Sequence, residues 1–241
     1  MENIVSLDNK KVINWTKLQD KKYRDQNLKF LIEGEHLLLE ALKNHVVEEI
    51  IVTDEKVYDE NIPHYNVPEK IMKKLSSLKT PPKVIAICQK LEEGLLTEKI
   101  ILLDGIQNPG NLGTIIRSAL AFNFKTIVLG NNTVDIYNEK VIRATEGMIF
   151  NVNVLKRNLK DFIYELKQKE YVIVGTDVKK GIDPKKTKNT KIALIVGNEG
   201  QGLDNELNNL CDKLVNIKMN SACESLNVGV AASILMYELG D

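Results

Sequence analysis

Histidine, cysteine, proline and tryptophan are all scarce in this 241-residue chain: three, three, six and one respectively. Cys88, Cys211 and Cys223 are far apart and form no C-x-x-C pair. That spacing argues against a disulfide framework and a cysteine-rich zinc site, so the three are expected to be reduced and structural, with no metal bound. His36, His45 and His64 all lie in the N-terminal part, so chemistry housed further along must find its proton acceptor elsewhere. No apolar run is long enough to span a bilayer, and "MENIVSLDNKK" has acids and amides where a secretion signal carries an apolar core. A cytoplasmic protein without membrane association is expected. Net charge is lacking too: 33 basic and 33 acidic residues leave a formal charge of zero, and no chain-wide field selects a polyanion.

What is present is globular in character. Apolar residues make up 43% and charged residues 27% of the chain, a balance that excludes disorder. The length suits two modest domains or one large one. Charge is unevenly spread: Lys10, Lys11, Lys17, Lys21, Lys22, Arg24 and Lys29 meet only Asp20 and Asp25 in the same stretch, and "KKGIDPKKTKNTK" forms a second basic run from Lys179 to Lys191. Charge alone favours two solvated faces over two phosphate-contacting patches.

The first part combines helical and strand patterns. "KKVINWTKLQDKKYRD" and "GEHLLLEALKN" have helical spacing, while "EEIIVT" and "KVIAIC" are short β-rich runs. A charged stretch around Gly94 then interrupts, which places a domain boundary between residues 94 and 95. Beyond it, "KIILLD", "KTIVLG", "NVNVL", "YVIVGT", "KIALIVG" and "KLVNIK" alternate with mostly helical segments. Short apolar runs in this rhythm predict an α/β fold with a parallel sheet buried under crossover helices.

The turn "GIQNPG" follows the first of these strands and leads into a helix expected to start near Asn111, capped by an amide side chain. Leu112, Ile115, Ile116, Ala119 and Leu120 form its apolar face, leaving Asn111, Thr114, Arg117 and Ser118 on the other side. Polar groups beside a helix N-terminus favour an anion. An arginine paired with a nearby acid on a surface helix explains the same residues equally well. The loop has no Walker lysine and does not spell the dinucleotide fingerprint, which argues against a nicotinamide oxidoreductase. Further on, "IVGNEGQGL" ends a strand in a glycine-dense turn around Glu199, and "IKMNSACESLNVGVAASILMYEL" joins a strand to a helix apolar or small almost all round.

In this order, Asn111-x-Gly113-x-x-x-Arg117, Gly197-Asn198-Glu199-Gly200-x-Gly202 and Glu224-Ser225-Leu226-Asn227-Val228 resemble the three motifs of the SpoU/TrmH family of RNA ribose methyltransferases. The likeness runs from about Ile100 to the C-terminus, and "FLIEGEHLLLEAL" is similar to the small α/β RNA-binding domain that often precedes it. The resemblance implies a substrate-binding domain over residues 1–94 and, over 95–241, a SPOUT domain with a deep C-terminal trefoil knot, an exception to ordinary connection rules. It implies binding of S-adenosylmethionine at Leu129, Gly130, Gly197, Ile217, Met219 and Leu226, and a homodimer joined through the C-terminal domain. Asn111, Arg117, Glu199, Ser225 and Asn227 take the places of the family's catalytic residues. Lys218, Ser221 and Gly229 depart from its usual pattern of Pro, Gly and Ser, and bear on the methionine pocket.

The implied reaction moves a methyl group to a ribose 2′-hydroxyl of structured RNA, with ribosomal RNA favoured over transfer RNA because of the accessory domain. Glu199 is a weak base unless buried. Family mechanisms give the proton to the motif-one arginine, here Arg117, whereas a guanidinium in water stays protonated and would instead clamp the phosphate beside the target ribose. The N-terminal lysines then read as RNA contacts, and Trp15 as a core anchor in preference to a base-stacking ring. An RNA-binding relative without transfer activity, or methylation of a base in place of the sugar, are the rival readings.

Overall fold

The computed structural model of the chain describes residues 1–177, 181–187, 189–198, 200 and 202–240. Its elements begin β1 (Glu2–Asn3), α1 (Lys10–Lys17), α2 (Lys21–Asn27), β2 (Lys29–Glu33), α3 (Glu35–Lys43), β3 (Val47–Val52), β4 (His64–Asn66), α4 (Glu69–Leu75) and β5 (Val84–Gln89). There follow β6 (Lys99–Leu103), α5 (Pro109–Ala121), β7 (Thr126–Leu129), α6 (Glu139–Ala144), β8 (Asn153–Lys156) and α7 (Leu159–Gln168). The chain closes with β9 (Val172–Thr176), β10 (Ile192–Val196), α8 (Asn205–Asn209), β11 (Lys213–Val215) and α9 (Val228–Gly240). Two compact units result: Met1–Leu91 with Asp135–Phe150, and Glu92–Val134 with Asn151–Asp241.

The first unit carries a mixed sheet in the order β1-β4-β3-β5-β2, with β5 antiparallel to both β2 and β3. The expected single helix at its start is two. Leu18 ends α1, and the Asp20 carboxylate accepts from the Lys22 N–H to start α2; an N-cap acid inside a helical pattern is a restart signal. Trp15 is buried, as expected, and its Nε1 donates to Glu49 at 3.0 Å. His64 is also buried: Tyr58 N–H donates to its Nε2 and its Nδ1 donates to the Ile62 carbonyl, which holds one neutral tautomer.

The expected boundary near residue 95 lies close to the observed break after Leu91, but residues 135–150, expected in the second domain, cluster with the first. Buried charge explains this. Arg24 Nη2 donates to Asp135 at 2.6 Å, and Nη1 reaches the Leu18 and Gln19 carbonyls, with the two side chains only 5% and 15% exposed. The Tyr137 ring packs on Phe30 at 4.7 Å, and its hydroxyl accepts from the Leu91 N–H. Arg143 donates to Ser77 Oγ at 2.7 Å, beside Glu33, whose buried carboxylate also accepts from Ser76 and Ser77.

The second unit is a six-stranded, all-parallel sheet in the order β11-β9-β10-β6-β7-β8. All six apolar runs read from the sequence are these strands. Ile100 to Leu103 and Ile192 to Val196 are buried without alternation, so the central strands are covered on both faces. Strand order reverses between β6 and β10: from β6 the chain proceeds to β7, and from β10 it leaves for α8 and β11. Loops leaving the carboxyl ends at such a reversal open a crevice, which is where ligands of open parallel sheets bind. Among the described residues, no helix is long and apolar enough to cross a membrane, and no group of three or more His, Cys, Asp or Glu side chains is placed to hold a metal ion. The three cysteines are free: burial pushes the Cys88 thiol well above its ordinary pKa and that of Cys211 up to about 11, whereas Cys223 is exposed and fills no core position.

Candidate active site

Both loops at the strand reversal belong to motifs read from the sequence. In the first, Asn108 is the amide that caps α5: its Oδ1 accepts from the Gly110 and Asn111 N–H groups at 2.8 and 3.3 Å, and Pro109 occupies the first helical position, two residues before the expected start. Asn111 therefore sits inside the first turn with its side chain turned to other work. Leu112, Ile115, Ile116 and Ala119 are buried as the helical wheel requires, and Arg117 is exposed on the opposite side. Among the described residues no acid pairs with Arg117, so the surface ion pair finds no support there.

The second loop folds back on itself. Asn198 and Gly202 exchange two backbone hydrogen bonds at 3.0 and 2.9 Å, and a Cβ on Gly197 would overlap the Gly202 carbonyl. Glycine at 197 is thus required by close backbone approach. Asn198 Nδ2 donates to the Gly105 carbonyl at 2.8 Å, stitching this loop to the one before α5. Asp104 holds the next turn by accepting from the Asp204 N–H at 3.2 Å; partial burial raises its pKa above the ordinary carboxylate range. Glu199 lies outside the described residues.

Motif three leads into α9. Asn227 Oδ1 accepts from the Gly229 and Val230 N–H groups at 2.9 and 3.2 Å, which fixes the amide so that its Nδ2 faces away and donates to Asn111 Oδ1 at 2.9 Å. One side chain therefore caps a helix and joins motifs one and three. Ser225 is exposed beside it.

A cavity of about 630 Å³ opens against these loops. Gly197, Ile217, Met219 and Leu226, four of the residues expected to bind cofactor, line it together with Ser225. Leu129 and Gly130 do not. Leu129 is buried at the end of β7, and Gly130 is packed so tightly that a Cβ would lie 2.7 Å from Leu159 and 2.9 Å from the Leu103 carbonyl. Sequence reasoning missed Thr176, Asp177, Asn216 and Glu224, which supply the polar wall, although Glu224 stood within a quoted motif. Lys218 and Ser221 are exposed and absent from this wall, so those departures leave it intact. Apolar walls at Val196, Val215 and Leu235, with carboxylates at Asp177 and Glu224, suit a flat heterocycle joined to a cation. The set fits S-adenosylmethionine.

Comparison with known proteins identifies relatives of the chain. The model of an MRM3-like substrate binding domain matches residues 9–86, and that of the SpoU rRNA Methylase family matches residues 98–237. The 23S rRNA (guanosine(2553)-2′-O)-methyltransferase RlmP of Bacillus subtilis is 40% identical over 246 aligned positions that cover 99% of each chain. The crystal structure of an AdoMet-bound rRNA methyltransferase from Sinorhizobium meliloti aligns with a TM-score of 0.86 at 27% identity, covering 98% of this chain and 96% of its own. The SpoU methyltransferase AviRb of Streptomyces viridochromogenes, solved with AdoMet, shares the fold with a TM-score of 0.82 at 24% identity over 95% of this chain and 96% of its own. A family match that spans more than half of the chain and contains all three motifs means that this chain belongs to the SpoU rRNA methylase family.

Proposed function

We infer that the chain transfers a methyl group from S-adenosylmethionine to a ribose 2′-hydroxyl of 23S ribosomal RNA, with a guanosine as acceptor. The observation that carries this is the bond between Asn111 and Asn227, the latter set between the cavity-lining Leu226 and Val228, in a chain aligned end to end with a 23S rRNA 2′-O-methyltransferase. When bound, S-adenosylmethionine supplies a methyl group on a positively charged sulfur that departs without acid assistance. The protein's share is alignment and proton removal. Backbone groups at Gly197, Ile217, Met219 and Leu226 would hold the cofactor, and Asn111 would orient the ribose. Arg117, exposed and without an acid partner among the described residues, clamps the adjacent phosphate, and the 2′-hydroxyl proton leaves to that phosphate or to water. Ser225 and Asn227 hold the acceptor side, with Glu199 assigned there by its motif.

The deep knot, the homodimer and a cytoplasmic location belong to the same proposal. Exposed Val230 and Tyr237 on α9 support a second copy of the chain as the partner; sedimentation showing only monomers at micromolar concentration would refute it.

The functional test is to incubate the protein with methyl-labelled S-adenosylmethionine and separate pools of unmodified 23S ribosomal RNA and transfer RNA, then digest with alkali. Label in alkali-resistant dinucleotides from the ribosomal pool is expected, because a methylated 2′-oxygen cannot assist cleavage. Label in mononucleotides would mean base methylation, and label in neither pool would sink the transferase reading.

The basic N-terminus contributes less than its sequence promises. Lys11, Lys21, Arg24 and Lys29 are engaged by Glu49, Asp25, Asp135 and Glu48, which leaves Lys10, Lys17 and Lys22 without an ion pair among the described residues. Lys17 and Lys22 also flank the Tyr23 ring, at 5.5 and 5.8 Å from its centre. Changing Lys10, Lys17 and Lys22 together to Gln is expected to weaken RNA binding about tenfold at 0.1 M salt, and to flatten the log–log salt slope by roughly 0.7–0.9 per lost phosphate contact. An unchanged slope in filter binding would take this face out of the RNA interface.

A further inference from the structure

Helix α9 works on two sides. Val228, Ala231 and Leu235, spaced three and four residues apart, line the cavity. Gly229, Ser233 and Tyr237 occupy the neighbouring face and meet α5. From the N-terminal end, Asn227 bonds Asn111, and Gly229 approaches Thr114 so closely that a Cβ would lie 3.3 Å from the threonine Cβ. Next, Ser233 Oγ lies 2.7 Å from Ser118 Oγ, and the Tyr237 ring meets Phe122 edge-on at 5.5 Å. The rungs at 111, 114 and 118 follow one stripe of α5, which the C-cap Phe122 extends. Gly229, where relatives in the family often carry Ser, is what permits the close approach.

The rungs differ in kind. Small and aromatic contacts tolerate sliding of one helix along the other, whereas a hydrogen bond does not. Ser233 has one hydroxyl proton and lies 2.6 Å from the Gly229 carbonyl, to which it donates, so the proton between the two serines comes from Ser118. The pair is therefore directional and sits midway along the contact. Arg117 is the residue next to Ser118 and projects to the exposed side of the same turn.

We propose that Ser118 and Ser233 are positioning residues for methyl transfer: their hydroxyl pair, midway along the contact, sets the register of α5 on α9 together with the Asn227–Asn111 bond at its end, and so the place of Arg117 relative to the cavity that the other side of α9 lines. The inference rests on the functional reading above. A catalytic group displaced by about 1 Å loses up to a hundredfold in rate.

Single-turnover methylation of 23S ribosomal RNA by Ser118→Ala, Ser233→Ala, the double variant and Ser118→Thr tests it, with S-adenosylmethionine affinity from calorimetry and melting midpoints on the same samples. Each alanine variant should lose about tenfold in rate while cofactor affinity stays within about twofold and the melting midpoint is unmoved. The double variant should be no slower than the slower single one, and Ser118→Thr, which keeps the donor, should recover most of the rate. Alanine variants with wild-type rates, losses that multiply in the double variant, or losses that follow melting would overturn the proposal. Amide hydrogen exchange without RNA reads the register independently of transfer. Faster exchange confined to α5 and α9 supports the pair, and unchanged exchange overturns it, even if the wild-type chain proved unable to methylate RNA and the functional reading had fallen.

Discussion

Arg117→Ala is expected to lower kcat/KM for RNA by about 10²–10³, the usual cost of removing one donor that stabilises charge in a transition state. The side chain makes no ion pair among the described residues and does not line the cavity. Its loss should therefore leave cofactor affinity and melting unchanged, an outcome a structural arginine would not give. Arg117→Lys separates charge from shape. Lysine keeps the positive charge but presents a point donor where the guanidinium offers two parallel ones, so a fall of roughly ten- to a hundredfold is expected if the phosphate is held by a fork. Near-normal turnover of the lysine variant would remove both the clamp and a proton-accepting role. Rapid-quench methylation under single-turnover conditions makes the comparison without interference from product release.

Asp135→Ala should destabilise the first unit by about 3–5 kcal/mol, because it strands the buried Arg24 guanidinium with carbonyls alone for company. Arg24 Nε already has no hydrogen-bond partner among the described residues, which leaves the charge little to fall back on. Replacing both members, Arg24→Met with Asp135→Leu, should recover most of the loss, since an apolar pair of similar volume avoids desolvation altogether. Urea denaturation monitored by Trp15, the only tryptophan, reads this unit specifically. A cost below about 1 kcal/mol for Asp135→Ala would mean that water or a shifted carbonyl satisfies the arginine, and that the pair does not bind residues 135–150 to the rest of the unit.

The second unit was largely legible because buried parallel strands announce themselves as short apolar runs, and because residues such as Arg117 and Asn227 stand out against loops and helix ends. Leu129 and Gly130 came from resemblance alone, and both are buried where β7 ends, outside the lining of the cavity. The start of α5 was read near Asn111, about two residues late, although Pro109 marked the first helical position. β2 was missed because "KFLIE" runs straight into the "GEHLLL" pattern of α3, and β4 has only three residues to show. The allegiance of residues 135–150 was not legible at all. It rests on a contact between Arg24 and Asp135 separated by 111 positions, and local periodicity carries no trace of such a pairing.

That separation governs how the chain is made. A ribosome adding roughly 5–20 residues per second takes on the order of ten seconds to travel from Arg24 to Asp135. During that interval the nascent N-terminal segment holds a cation destined for burial and no counter-ion for it. The first unit to emerge from the exit tunnel is thus barred from being the first to finish, and β6, α5 and β7 of the second are already synthesised when its missing piece arrives. Excised at Leu91, it would be an unfinished intermediate, not a portable module.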